Sequence, residues 1–244
     1  MSKETLPWLS FKGKSSLELG LVIVKKNTFN GAARDVTYYG VPGRSGDLVI
    51  DNGRYKNLTV SYEMTLLNTT PFNFSELTQL IRDWLLSETG YFTLWDTYDS
   101  QYFRYASYSG EVDIEQIQKD EGRLILDFNC KPYRYAREGQ QPILLPSAGT
   151  IYNSEAYPSE PYIKVNGSGT ITLTVNGTNY TLSDIDGYIE LDSELMDAFK
   201  GSTLLNNSMT GGTFPLLLPG QNTISWSGNG TVTTLEIIPR WRRL

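Results

Sequence analysis

The sequence contains no histidine and a single cysteine, Cys130, among 244 residues. The first absence excludes a Ser-His-Asp triad, a Cys-His pair and any imidazole-ligated metal. The second excludes an internal disulfide and a cysteine-built metal site. Stability must come from packing. Long apolar runs are missing too: the longest, Leu19–Val24 and Phe214–Pro219, are far shorter than the roughly 20 residues that cross a bilayer as a helix, so no membrane insertion is expected. The opening stretch MSKETLPWLSFKGKSS has no apolar h-region, and no cleaved secretion signal is expected. Triplets such as Asn57-Leu58-Thr59 and Asn176-Gly177-Thr178 then read as turn and strand composition rather than glycan acceptors.

What is present is the composition of a folded chain: 39% hydrophobic, 12% aromatic, 20% charged, with a net charge of -6. Turn signals are dense. Asn-Gly pairs at Asn30, Asn52, Asn166, Asn176 and Asn229 can each supply the positive φ angles of a tight hairpin. Between them run short alternating segments. In LTVSYEMTLL, residues Leu58, Val60, Tyr62, Met64 and Leu66 share one face of an extended strand, the pattern of a half-buried antiparallel sheet. Arg123–Tyr133 repeats it with Leu124, Leu126, Phe128 and Cys130. The run IKVNGSGTITLTVNGTNYTL, with Ile163, Val165, Ile171, Leu173 and Val175 at period two, reads as successive hairpins turning at Asn166 and Asn176.

One helix interrupts this pattern. In PFNFSELTQLIRDWLLSETG, Asn73 and Glu76 form a capping box, Phe72 and Leu77 stand where a hydrophobic staple meets, and Leu77, Leu80, Ile81, Trp84 and Leu85 make one apolar stripe ending at Gly90. A composition change at AREGQQPILLPSAG places a domain boundary between residues 140 and 141. Residues 1–140 carry 16 basic against 18 acidic side chains, and residues 141–244 carry 5 against 9. Three of those 5 are Arg240, Arg242 and Arg243, in the closing PRWRRL. They are too few for a nucleic-acid arm, whose affinity needs several neutralised phosphates. The segment reads instead as a final core strand whose Trp241 packs at an edge or interface and whose arginines meet nearby acids. ELMDAFK, residues 194–200, fits a short helix or a strand pair equally.

Candidate chemistry is sparse. Tyr91, Phe92, Trp95, Tyr98, Tyr102, Phe103, Tyr105 and Tyr108 form an aromatic cluster that suits sugar stacking, or simply sheet faces and interfaces. Asp96 and Asp99 have the residue type of a glycosidase acid and base, but a Trp-Asp-Thr-Tyr-Asp-Ser stretch reads first as a turn. SDIDGY, residues 183–188, spaces Asp184 and Asp186 like two calcium ligands without the later ligands of such a loop, and reads as a hairpin turn. GRSGDL, residues 43–48, has glycines but no following Gly-Lys-Ser/Thr, so no phosphate cradle is expected. Arg44 there suits pairing with a carboxylate, within the fold or across a subunit contact. No metal and no cofactor are expected.

Taken in order, FKGKSSLELGLVIVKK, GVPGRSGDLVIDNGRYKNLTVSYEM, FNCKPYRYA and LNNSMTGGTFPLLLPGQNTISWSGNGTVTTLEIIPRWRRL resemble the distal tail proteins of long-tailed, non-contractile bacteriophages, the siphovirus tail component family. The resemblance covers nearly the whole chain. It implies a mainly β protein of two β-sandwich domains: a ring-forming belt domain, residues 1–140, with one α-helix and an extended hairpin that grips its neighbour, and a galectin-like domain, residues 141–244. It also implies a non-enzymatic homohexameric ring at the distal end of the tail of the virion, assembled in the host cytoplasm. Its partners would be the tail tube protein, the tape-measure protein, the tip or tail-associated protein and, where a baseplate exists, receptor-binding proteins. DNA would pass through the centre without specific binding. The candidate contact residues are Arg44, Asp47, Leu48, Tyr55, Trp95, Tyr98, Tyr102 and Trp241, on the hairpins of residues 34–66 and 91–128 and the closing strand. The alternative is a carbohydrate-binding tail adhesin. Galectin sugar sites use a histidine that this chain lacks, so no lectin site is carried over.

Overall fold

The computed structural model describes residues 6–26, 30–68 and 70–244; the first residues of the expected leaderless opening lie outside them. The chain divides into two compact units, the first running to Arg134 and taking in Leu244, the second spanning Tyr135–Arg243. The division falls within a strand, upstream of the Gly- and Pro-punctuated segment. Both units are mainly β.

The first unit contains β1 (Leu9–Phe11), β2 (Lys14–Ser15), β3 (Leu21–Lys26), β4 (Arg34–Tyr39), β5 (Leu48–Tyr55), β6 (Leu58–Leu67), α1 (Phe74–Leu86), β7 (Phe92–Asp96), β8 (Tyr102–Ser107), β9 (Glu115–Gln118) and β10 (Glu121–Ala136). The main sheet runs β2-β1-β7-β8-β10-β6-β3, with β9 also on β10. β6 and β10 pair in unbroken antiparallel register from Glu121 opposite Leu67 to Cys130 opposite Leu58. Period two therefore sends Leu58, Val60, Tyr62, Met64 and Leu66 of β6, and Leu124, Leu126, Phe128 and Cys130 of β10, into one core.

Helix α1 lies against this core. Asn73 accepts from the Glu76 amide at 3.0 Å while Glu76 accepts from the Asn73 amide at 3.0 Å, closing the capping box. Leu77, Ile81 and Leu85 are fully buried. Each such side chain contributes about 1.5–3 kcal/mol of burial, so the stripe outweighs the cap, worth about 1 kcal/mol. Trp84 adds a polar anchor: its indole N–H donates to the Phe11 carbonyl at 2.9 Å. Two details of the expected helix differ. Phe72 remains 44% exposed, outside the core, so no staple secures the N-terminus. The helix ends at Leu86 with Ser87 as its cap, because the last apolar contacts are already made, and Gly90 (φ 141°) belongs to the turn into β7.

The second unit contains β11 (Ile143–Leu145), β12 (Gly149–Asn153), β13 (Tyr162–Val175), β14 (Thr178–Asp192), β15 (Asp197–Lys200), β16 (Thr203–Leu204), β17 (Met209–Thr210), β18 (Gly220–Gly228), β19 (Thr231–Ile238) and β20 (Arg242–Arg243). Its centre is the long β13–β14 hairpin. β13 pairs first with β19 and then, past a register shift near Gly169, with β18. Ile163, Val165, Ile171, Leu173 and Val175 all point inward as the alternation requires.

Only some of the Asn-Gly pairs reverse the chain. Asn176 (φ 52°) and Gly177 (φ 81°) join β13 to β14, and Asn229-Gly230 joins β18 to β19. Asn166-Gly167 instead sits inside β13 at a register shift against β19, and Asn52-Gly53 inside β5, where Gly53 has φ 73°. There the positive φ or missing Cβ makes a bulge, not a turn. The expected break at Asn166 is therefore wrong, and IKVNGSGTITLTV is one strand. SDIDGY is likewise not a turn: Asp184 (φ 54°) is a bulge residue within β14. Asp197–Lys200 forms a strand, which settles the ambiguity of residues 194–200 in favour of pairing.

The closing arginines fold onto the second unit. Arg240 grips Asp192 through two bonds at 2.7 and 2.8 Å, Arg242 pairs with Glu160 at 2.5 and 2.9 Å, and Arg243 with Glu155 at 2.7 and 3.1 Å. Burial raises the Asp192 carboxyl, but the Arg240 guanidinium and the Leu195 and Glu194 amides outweigh it and hold the group below the ordinary range. Trp241 between them is only 5% exposed. It packs against Gly139, where a Cβ would stand 2.5 Å from the Trp241 amide nitrogen. Trp241 is a core residue of its own unit and leaves the set of surface candidates.

Candidate protein interface

Among the described residues β4 and β5 pair only with each other, as a two-stranded sheet separate from the main one. Tyr39 stands opposite Leu48, Tyr38 opposite Val49, and Thr37 opposite Ile50. Because opposed residues share a face and successive residues alternate, one face carries Tyr39, Leu48, Thr37 and Ile50, and the other Tyr38 and Val49 toward the tip with Val36 and Asp51 toward the base. Toward the tip both faces are apolar. Tyr38 is 62% exposed, Tyr39 55%, Val49 55%, Leu48 46% and Ile50 44%, so nothing among the described residues covers them.

The base of the hairpin is built differently, from charge. Arg34 pairs with Asp51 at 2.6 Å and lies 5.4 Å over the Tyr55 ring, which meets Tyr133 edge-on at 5.9 Å. Arg54 and Lys56 hold Asp35 at 2.7 and 3.4 Å. Hydrogen bonds from the facing arginines keep both carboxyls below their ordinary range. An isolated two-stranded hairpin is marginal in water. This one is fixed at its root by ion pairs, while its limb offers two apolar faces and two unpaired edges.

Four of the expected contact residues fall on this element. Arg44 and Asp47 lie exposed in the turn, which Gly43 (φ 78°) and Gly46 (φ 85°) permit. Leu48 opens β5 and Tyr55 closes it. Three others gather around the β7–β8 turn. Trp95 is half-buried, edge-on to Trp8 at 4.8 Å, and its N–H donates to the Ser100 carbonyl at 3.0 Å. Tyr98 is 44% exposed, and Tyr102 is half-buried under Arg134 at 5.7 Å. Tyr38, Tyr39, Val41, Val49 and Ile50 were not among the expected contacts. Their signal was present in TYYGV and LVI, apolar residues on consecutive positions where a strand with one wet face would alternate.

The carboxylates considered for catalysis are committed elsewhere. Asp96, 6% exposed, accepts from Tyr62 at 2.5 Å, from Lys26 at 2.8 Å and from the Tyr98 and Asp99 amides at 2.9 and 3.1 Å. Burial first, then the Asp96 charge, pushes the Tyr62 phenol well above its usual value. Asp99 is paired with Arg134 at 2.8 Å. These groups organise a turn. The aromatic cluster is similarly engaged: Lys131 lies over Tyr91 and Tyr105 at 5.5 and 5.3 Å, and Phe103 meets Tyr105 edge-on at 5.4 Å. Asp186 binds Lys200 at 3.2 Å.

No family model matches the chain, and no curated protein matches it. Solved structures do. The crystal structure of SPP1 Dit (gp 19.1), described as a paradigm of the hub adsorption apparatus in phages that infect Gram-positive hosts, superposes with a TM-score of 0.72 at 9% identity, over 96% of this chain and 98% of that one. A chain of the phage P2 baseplate in its activated conformation with Ca follows, with a TM-score of 0.50 at 10% identity over 98% of each chain. At such identities the likeness establishes a shared fold across nearly the full length.

Proposed function

We propose that this protein is the hub of a phage tail tip, a non-enzymatic ring of identical copies that joins the tail tube to the tip and receptor-binding apparatus. The observation that carries this reading is the β4–β5 hairpin, apolar on both faces toward its tip and uncovered by the described residues of its own chain. Exposed apolar elements of this size on a folded unit mark an interaction surface. The full-length fold shared with a phage hub protein supports the identity of the assembly, and the absence of histidine together with the internal pairing of Asp96 and Asp99 is consistent with a role in shape rather than bond-making.

The finer features belong to the same proposal. The ring is a homohexamer with a central channel through which DNA passes unbound. It meets the tail tube, tape-measure and tip proteins at the distal end of the tail. Closure needs heterologous contacts, in which one patch docks on a different patch of the next copy. Arg44, Asp47, Leu48 and Tyr55 serve the contact directly, and Trp95, Tyr98 and Tyr102 lie on a second hairpin of the same unit. Gel filtration coupled to light scattering tests the reading. A discrete particle of six subunit masses agrees with it; a chain that stays monomeric at high concentration, alone and with purified tail tubes, contradicts it.

A further inference from the structure

The core of the first unit ends in charge. Leu94 of β7 stands opposite Arg104 of β8, as Phe92 stands opposite Ala106, and Leu94 and Ala106 are both buried. Arg104 therefore occupies an inward position of its strand, where the alternation calls for an apolar residue. Arg134 continues the inward row Leu126, Phe128 and Cys130 of β10 at period two, Asp96 follows Leu94 along β7, and Lys26 stands opposite the buried Tyr62. These four side chains, with Asp99 from the β7–β8 turn, surround a cavity of about 100 Å³.

Its side-chain charges do not balance. Lys26 is held by Asp96 at 2.8 Å and Arg134 by Asp99 at 2.8 Å. Arg104 makes no ion pair among the described residues. It donates to two backbone carbonyls, of Pro132 at 3.1 Å and of Asn30 at 3.5 Å. The Nε of Arg134 is buried without a hydrogen-bond partner among the described residues, while Nη2 donates to the Leu244 carbonyl at 3.1 Å. Burial, with the charge of Arg134 adding to it, lowers the Arg104 guanidinium below its ordinary range. A guanidinium withdrawn from water without a carboxylate is costly, and so is an N–H without an acceptor.

We propose that this cavity binds one small oxyanion, of phosphate or sulfate size, between the Arg104 guanidinium and the Arg134 Nε. The planar fork of N–H donors on arginine matches the oxygens of such ions, and the bonds are strengthened by charge. An apolar cavity of about 150 Å³ admits benzene, so the smaller space here suits a single tetrahedral ion. The ion would tie β8 to β10 and, through Arg134 and Asp99, steady the turn that carries Tyr98 and Tyr102. The inference stands apart from the ring reading, because the donors all belong to one unit of one chain.

Calorimetric titration of the phosphate-free protein with inorganic phosphate tests this. One ion per chain should bind saturably, and sulfate should compete for the same site. Arg104→Met should abolish binding, and Arg104→Lys, which keeps the charge and loses the fork, should weaken it roughly tenfold. Thermal unfolding gives a separate readout. Without phosphate, Arg104→Met should unfold no earlier than the parent, because an apolar side chain replaces a lone charge. With phosphate at about five times its dissociation constant, the parent should gain about 2–4 °C and the variant nothing beyond the general salt effect. Absence of saturable binding overturns the proposal, and is the result expected if a Leu244 carboxylate already answers these donors. Binding that Arg104→Met leaves unchanged is adventitious and overturns it too. So does a variant that unfolds earlier than the parent by the same margin with and without phosphate, since Arg104 would then be satisfied within its own chain.

Discussion

Replacing Leu48 and Ile50 by serine separates an interface role from a structural one. In the single chain these side chains are 46% and 44% exposed, so roughly half of each remains to be covered. Full burial of such a side chain is worth about 1.5–3 kcal/mol. Covering the remaining half therefore yields roughly 1 kcal/mol each, or about 2 kcal/mol for the pair, which is about thirtyfold in the dissociation constant of one contact. Every copy makes the contact twice in a closed ring, so the particle should give way to monomer at micromolar concentrations where the parent chain is fully assembled. The monomer itself should lose no more than about 1 kcal/mol, because neither residue belongs to the core. Light scattering reads the first quantity and urea unfolding the second. A sharp fall in the unfolding midpoint with the assembly unchanged refutes the reasoning, since the two residues would then be packing groups of their own chain.

Other expectations follow from the packing and the charges. A Cβ on Gly167 would lie 1.9 Å from the Thr231 carbonyl oxygen, so Gly167→Ala should destabilise the chain by about 1–3 kcal/mol or more in urea unfolding; an unchanged midpoint contradicts the close β13–β19 approach. Asp192 has a depressed folded pKa, held by Arg240 against the opposing effect of burial. Its stabilisation is complete above the unfolded carboxyl value of about 3.9 and is lost as pH falls through the folded value. Asp192→Asn should therefore flatten the loss of stability on acidification below about pH 4, and parallel acid limbs in parent and variant contradict the Asp192–Arg240 clamp. Burial pushes the Cys130 thiol up to about 12, so it should resist thiol reagents at pH 8 until the chain unfolds; rapid labelling of the native protein contradicts its burial.

Much of the fold is legible because most strands have one dry face. β6 and β10 alternate cleanly, and their inward residues can be named from period two alone. The capping box of α1 is equally local: Asn73 and Glu76 meet through neighbouring amides. What failed depended on distant partners. Asn-Gly encodes a positive φ, but whether the chain reverses there depends on the strands alongside, and β13 at Asn166 is flanked by β14 and β19. That the arginines of PRWRRL meet acids was legible, but not which acids, because Glu155, Glu160 and Asp192 lie far away in sequence. Gly139 gave no hint that it opens space for Trp241. The exposed hairpin was marked in the sequence at Leu48 and Tyr55, while its most exposed apolar positions, Tyr38 and Val49, went unnamed because consecutive apolar residues in one chain's sequence do not tell a buried strand from an exposed one.

The central claim is that identical copies close on one another through the hairpin. Electron microscopy of the purified particle addresses it most directly. Class averages should show a closed six-fold ring with an axial hole, lost in the Leu48→Ser/Ile50→Ser variant. Open filaments, dyad-related dimers, or single units at every concentration contradict it.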